Sequence, residues 1–241
     1  MIFSAKQDSM MRWHYLRHRF PIALLSLFIF QNAQADYEVD PSTFVSLPRH
    51  CQAKYASAAE KLENIHLDRA RYEKDIERYK RQLRGAWVFL NHYCPGLVAL
   101  IEAERLPPGA NNERRNRLIA GALKQVGYLL PRAGWTESTL WLKAEANRNL
   151  GRIYVLKEQP GEAIRHFQRA IDAYPAYIAA YWDLAELKRK QQHFDEAISH
   201  LEKALLQQPR AKQASLIEAQ IRKIESEKNS VIPPESSRTR E

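Results

Sequence analysis

The feature that most constrains the fold is an internal repeat with a period of 34 residues in the C-terminal half of the chain. At this offset, Glu162-Ala163-Ile164 aligns with Glu196-Ala197-Ile198, and Pro175 aligns with Pro209. A repeat of this length is one supersecondary unit that cannot bury its apolar face alone, so successive copies must stack on one another. The sequence therefore predicts a stacked array over about residues 144–211.

The residue types at the repeated positions indicate which unit is repeated. In the first copy, about residues 144–177, they are Leu150, Gly151, Tyr154, Ala163, Phe167, Ala170 and Pro175. In the second copy, about residues 178–211, they are Leu184, Ala185, Ala197, Leu201, Ala204 and Pro209, with Lys188 standing where the first copy has Tyr154. This pattern resembles the tetratricopeptide repeat, in which each copy is a pair of antiparallel helices, A and B.

The resemblance implies an all-α fold, an antiparallel helix-hairpin array. The small residues Gly151 and Ala163 would lie where helix A of the first copy meets helix B, and Ala185 and Ala197 would do so in the second. Proline would end each helix B, because it cannot donate the backbone hydrogen bond that a continuing helix needs.

Two copies are fewer than the three or so that usually make a stable solenoid, so flanking segments must cover both ends. Residues 211–228 predict a C-terminal capping helix, since their isoleucines share one face. A helix predicted over residues 112–130 should cover the first repeat. Thr136 has the residue type of a helix N-cap, and it opens a repeat region that runs from residue 136 to residue 228.

The rest of the chain has its own organisation. Residues 49–130 form an N-terminal helical region by composition and apolar spacing, and we expect it to continue the same stack. Pro95-Gly96 and Pro107-Pro108-Gly109 predict breaks in its helices. Residues 36–48 contain two prolines without periodicity and predict an extended leader, whereas the polar residues 229–241 predict a disordered tail.

The first 35 residues have the organisation of a secretory signal peptide. Basic residues are followed by an apolar run, Pro21 to Phe30, and then by Ala33-Gln34-Ala35, the small-any-small pattern at which signal peptidase cleaves. The run is shorter than the roughly 20 residues of a membrane-spanning helix. We expect cleavage after Ala35 and an exported, periplasmic chain without a transmembrane segment. An uncleaved anchor and a buried core helix are the alternatives.

An exported chain with two cysteines, Cys51 and Cys94, is expected to join them in a disulfide, because export compartments are oxidising. The alternative is a tetrahedral zinc site that adds His50 and His92, which would make the chain a metal- or cofactor-bearing accessory protein. The spacing matches neither a zinc finger nor a haem-attachment sequence. The disulfide is the favoured interpretation, and no metal or other cofactor is expected.

The chain carries a formal net charge of +9 at pH 7. Its basic residues are spread along the sequence rather than clustered with aromatic residues, so the pattern does not indicate nucleic-acid binding. A basic surface is compatible with an acidic protein, an anionic polysaccharide or anionic lipid as the partner.

In the family that the repeats resemble, peptides bind on the concave surface lined by the A helices. By that pattern the predicted groove residues are Glu145, Arg148, Arg152 and Val155 in the first copy and Ala179, Trp182, Glu186 and Arg189 in the second. Arg148 and Arg152 lie one helical turn apart and would hold a carboxylate between them, with Trp182 as an apolar anchor. A solvated charged face with a half-buried tryptophan is the alternative.

The sequence contains no phosphate-binding glycine loop, no nucleophile elbow and no His-Glu-any-any-His motif, so an enzyme is not expected. A cell-wall glycan enzyme that uses a carboxylate pair is the catalytic alternative. Residues 47–51 and 92–97 loosely resemble elements of repeat-containing envelope proteins of proteobacteria. The resulting hypothesis is an exported scaffold that binds a protein or peptide partner in the cell envelope, in an assembly such as one that secretes polysaccharide. No oligomeric state follows from these residues.

Overall fold

Helices account for nearly all of the regular structure. The computed structural model describes residues 39–58, 69–107, 109 and 112–231, and this part of the chain contains no β-strand. The predicted signal peptide lies outside the described residues. The helices are α1 (Pro41–Ser46), α2 (Arg49–Ala58), α3 (Glu73–Leu83), α4 (Ala86–Arg105), α5 (Asn112–Leu129), α6 (Leu140–Leu156), α7 (Pro160–Ala173), α8 (Ile178–Lys190), α9 (Phe194–Leu205) and α10 (Ala211–Val231). The all-α prediction is confirmed.

The two predicted repeats are the hairpins α6/α7 and α8/α9. The helices of the first hairpin approach so closely at Gly151 that a Cβ atom there would lie 2.5 Å from the Phe167 ring. The small residues Ala163 and Ala197 are fully buried at the corresponding places in α7 and α9. The recurring small residues therefore mark the points where each hairpin closes.

A third hairpin, α4/α5, stacks in front of the two repeats, because α5 packs against α6. Its closest approach is at Gly96, where a Cβ atom would lie 2.9 Å from Gln125 and Val126. At the other end, α10 packs on α9 and buries Ile217 and Ile224. The stack thus contains three hairpins and a capping helix. Three hairpins equal the number of repeats that a stable solenoid usually needs.

The prediction of an extended leader at residues 36–48 is wrong for the part that forms α1. The Asp40 carboxylate accepts hydrogen bonds from the backbone N–H groups of Ser42 and Thr43, at 2.9 and 3.1 Å. Pro41 occupies the first turn, where its missing N–H costs nothing. A short helix therefore forms and buries Phe44.

The predicted break at Pro95-Gly96 is also wrong, because α4 runs through both residues. Proline removes one helical hydrogen bond, but the helix is held on both sides of it by Cys94 and by the buried Leu97 and Leu100. At the C-terminus, α10 extends to Val231 and so includes the first residues of the predicted tail, whose remainder lies outside the described residues.

The predicted disulfide is present between Cys51 of α2 and Cys94 of α4, with the Cα atoms 5.4 Å apart. Both cysteines are buried. The bond therefore ties the N-terminal helix α2 to the helix that begins the stack of hairpins.

We predict that Gly151→Ala lowers the free energy of unfolding by about 1–3 kcal/mol, because the new methyl group displaces the Phe167 ring from a packed core. The matched control is Gly161→Ala, where a Cβ atom meets nothing within 4 Å and the change in stability should be neutral or favourable. Urea denaturation followed by circular dichroism measures both. Equal effects of the two substitutions would contradict the close approach.

We predict that a Cys51→Ala, Cys94→Ala double variant is less stable than the oxidised chain by about 3–4 kcal/mol, because the disulfide closes a loop across 43 residues of sequence in the unfolded state. Urea denaturation measures the free energy of unfolding of the double variant and of the wild type, the latter with and without reductant. Intact mass supplies a separate check, and a wild-type mass equal to that of the reduced chain would show that the bond is absent.

Candidate partner-binding groove

Helices α4, α6 and α8 lie next to one another on one side of the stack. The groove is the surface that their side chains form there. It is made by Leu97, Ile101 and Glu104 of α4, Glu145, Arg148, Arg152 and Val155 of α6, and Asp183, Glu186 and Leu187 of α8.

Two cavities open along this groove. The first cavity, about 460 Å³, lies between α4 and α6 and extends to Tyr177 before α8. The second cavity, about 270 Å³, lies between α6 and α8 and has the apolar side chains of Val155, Leu156 and Leu187 in its walls. Glu104 and Arg152 border both cavities, so they form the ridge between them.

Some of the predicted groove residues line the first cavity, some line the second cavity, and others line neither. Glu145, Arg148 and Arg152 line the first cavity, whereas Arg152, Val155 and Glu186 line the second. Ala179, Trp182 and Arg189 line neither of them. Trp182 is half-buried against the core of the repeats, so it supports the stack as well as its surface.

The groove arginines pair with carboxylates of neighbouring helices. Arg148 of α6 donates through Nε and Nη2 to Asp183 of α8, at 2.6 and 3.2 Å. Arg152 of α6 donates to both carboxylate oxygens of Glu104 of α4, at 3.0 and 2.5 Å. Two-point contacts of this kind fix the separation of the helices as well as neutralising charge.

Arg189 completes the series, because it donates to Glu227 of α10 at 2.8 Å and also to Glu186 in its own helix. Burial lowers the pKa of the Arg148 guanidinium, but Asp183 raises it by more, so Arg148 is charged at every relevant pH. Arg148 and Arg152 therefore do not form an unoccupied pair for an acidic ligand, which would have to displace Asp183 or Glu104.

Glu145 lines the first cavity and belongs to a buried polar network. The Tyr93 hydroxyl donates to Glu145 Oε1 at 2.7 Å, and Asn149 Nδ2 donates to the Tyr93 oxygen at 2.9 Å. His50 Nε2 lies 3.3 Å from the same Oε1 but outside hydrogen-bonding geometry. Trp141 contacts the His50 ring edge to face, with the ring centroids 5.3 Å apart.

Opposing effects act on the ionisation of this network. Burial raises the pKa of Glu145, but His50, the Tyr93 hydrogen bond and Arg148 lower it by more, so the pKa lies below its ordinary value. Burial and the adjacent Glu145 charge raise the pKa of Tyr93 well above its ordinary value. At neutral pH the site therefore holds a carboxylate beside a neutral phenol.

Sequence reasoning missed Glu104, Asn149, Tyr177 and Asp183, which line the two cavities, and the buried Tyr93, which donates a hydrogen bond to Glu145. Asp183 was open to prediction, because it is an acidic residue beside a predicted groove position and 35 residues after Arg148. Glu104 and Tyr93 carried no such signal, since α4 lacks the repeat pattern.

The four residues of the alternative metal site do not come together as ligands. The sulfur atoms of Cys51 and Cys94 are bonded to each other, so neither is a free thiolate. His92 contacts Gln125 at 2.8 Å, whereas His50 contacts the Glu145 network. Among the described residues no group of three or more His, Cys, Asp and Glu side chains is placed to hold a metal ion. The zinc interpretation is therefore not supported.

None of the described helices is both long enough and apolar enough to cross a lipid bilayer.

Comparison with known proteins agrees with the geometry of the hairpins. The tetratricopeptide repeat family model matches residues 144–221, which cover both predicted repeats and the first half of α10. No curated protein matches the chain. The matched residues, the two hairpins and the close approach at Gly151 agree that residues 144–221 are similar to the tetratricopeptide repeat.

Proposed function

We propose that this protein is an exported scaffold that binds a protein partner in the cell envelope through the groove of α4, α6 and α8. The observation that carries the proposal is the second cavity, whose apolar wall residues Val155, Leu156 and Leu187 are only partly buried. An inserted apolar side chain of a partner would remove this surface from water and stabilise the complex.

The composition of the groove favours binding over catalysis. Arg148, Arg152 and Arg189 each hold a carboxylate of another helix, so these charged groups serve to align the helices. A pre-aligned surface loses little conformational freedom when a partner binds, which favours affinity. Tetratricopeptide repeats are in general interaction modules, which agrees with this reading.

The proposal of an envelope location rests on the N-terminal sequence and on the disulfide, since structural disulfides persist mainly in oxidising compartments. An assembly that secretes polysaccharide is one setting for such a scaffold.

We predict that the chain recovered from the cell envelope begins at Asp36, because signal peptidase cleaves after Ala33-Gln34-Ala35. N-terminal sequencing and intact mass measure this directly. An Ala33→Arg, Ala35→Arg variant should accumulate uncleaved, since large charged residues do not fit the peptidase. Recovery of the uncleaved wild-type chain from the soluble cytoplasm would contradict export.

We predict that Val155→Arg removes partner binding, because the long side chain fills the second cavity while its charged end reaches water. The matched control is Leu206→Arg, which makes the same change of charge at a side chain that is 76% exposed at the end of α9. Pull-downs from envelope extract compare the wild type with both variants after circular dichroism confirms their folding. Equal capture by all three chains would show that the groove is not the binding site.

A further inference from the structure

The two carboxylate oxygens of Glu145 differ in their contacts with the described residues. Oε1 accepts the Tyr93 hydrogen bond and lies near His50, whereas Oε2 accepts no hydrogen bond from the described residues. The residue is only 9% exposed and lines the first cavity. Oε2 is not among the fully enclosed polar atoms that lack a partner, so this oxygen is open to the cavity.

The cations of the first cavity already have their hydrogen bonds. Arg148 and Arg152 hold Asp183 and Glu104. Arg105 donates through both Nη atoms to oxygens of α1, to Thr43 at 2.7 Å and to Ser46 at 3.0 Å. Glu145 Oε2 is therefore an acceptor in this cavity that the described side chains leave open to a donor brought by a ligand.

A cationic donor fits Oε2 better than a neutral donor. His50 and Arg148 already offset part of the Glu145 charge, but neither donates a hydrogen bond to Oε2. A charged donor forms a shorter and stronger hydrogen bond with a carboxylate than a neutral donor does. A cationic donor supplies both the hydrogen bond and the charge.

The walls of the cavity select the shape of that cation. Pro48, Leu97 and Ile101 give the cavity apolar surface, and Glu145 and Tyr177 line the same cavity. An aliphatic chain that ends in an ammonium or guanidinium group matches such a site, because its methylenes contact the apolar walls and its charged end reaches the carboxylate. Lysine and arginine side chains have this form.

We infer that the first cavity receives a lysine or arginine side chain of the partner, whose charged group donates to Glu145 Oε2. This inference rests on the proposed function, since it assigns the partner's side chain to the groove. It also reverses the expectation of an acidic partner, because the groove arginines hold carboxylates of this chain.

The first test uses the processed chain and single-residue probes. N-acetyl-lysine methylamide, N-acetyl-norleucine methylamide and N-acetyl-glutamate methylamide are titrated separately while NMR follows the side-chain amide of Asn149 beside the Tyr93–Glu145 contact. We expect saturable shifts with the lysine probe and none with the other two. Equal binding of the norleucine probe, or preference for the glutamate probe, would overturn the inference.

The second test uses Glu145→Gln, which keeps an oxygen to accept the Tyr93 hydrogen bond but removes the charge. Affinity for the lysine probe should fall about tenfold to hundredfold. Glu202→Gln is the matched control, because Glu202 is an exposed carboxylate of α9 that leaves the cavity untouched. Unchanged lysine binding by Glu145→Gln would overturn the inference, and the probe comparison on the wild type decides it even if this variant does not fold.

Peptide pools separate this inference from the proposed function. Three labelled pools carry lysine, glutamine or glutamate at a fixed central position among random neighbours, and fluorescence anisotropy measures their binding to the wild type and to Val155→Arg. If the wild type prefers the pool with central lysine and Val155→Arg binds none of the pools, the result supports both the proposed function and the inference. Binding that Val155→Arg abolishes without that preference overturns the inference and leaves the groove as the binding site. A lysine probe that binds through Glu145 while no pool binds the groove overturns the proposed function and the peptide assignment.

Discussion

The close approach of paired helices is the constraint on which the rest of the structure depends. At Gly151 and at Gly96 a single Cβ atom would meet the facing helix at 2.9 Å or less. Each hairpin closed in this way leaves an apolar face that only another hairpin or a cap can cover. The stack of α4/α5, α6/α7 and α8/α9 under α10 satisfies that requirement. The first hairpin does so without the repeat pattern, since close packing requires a small residue at the contact and not a particular sequence.

Stacking also determines what the groove arginines can do. It places α4, α6, α8 and α10 near enough for an arginine to reach a carboxylate of the next helix, as Arg152, Arg148 and Arg189 do. Partly buried two-point pairs hold a fixed separation better than isolated surface pairs. The charges that would suit an acidic ligand on an isolated helix therefore align neighbouring helices in the folded stack.

The contrast between the arginines of an isolated helix and those of the folded stack shows how far the sequence predicts the structure. The repeats, the capping helix and the disulfide were predictable, because their signals are local spacing, side-chain size and an even cysteine count. Proline misled the prediction at α1 and α4, where Asp40 caps one helix and buried neighbours hold the other. The groove pairs were harder still, because the pairing of Arg148 with Asp183 depends on how two helices are placed and not on either helix alone. For the same reason the N-terminal half contributed Tyr93 and Glu104 to the site without any signal in its sequence.

The disulfide and the groove are physically connected through the residues that precede the two cysteines. His50 comes directly before Cys51, Tyr93 comes directly before Cys94, and both side chains approach the same oxygen of Glu145. Replacing a buried charged network by well-packed apolar side chains is often neutral or stabilising, so burial of Glu145 is weak evidence for a role in stability. Because the cross-link holds α2 and α4 together, it fixes the two groups that orient Glu145 and leaves Oε2 directed to the cavity. The N-terminal helices thus belong to the proposed binding surface, and we expect changes near the disulfide to alter ligand binding without altering the repeats.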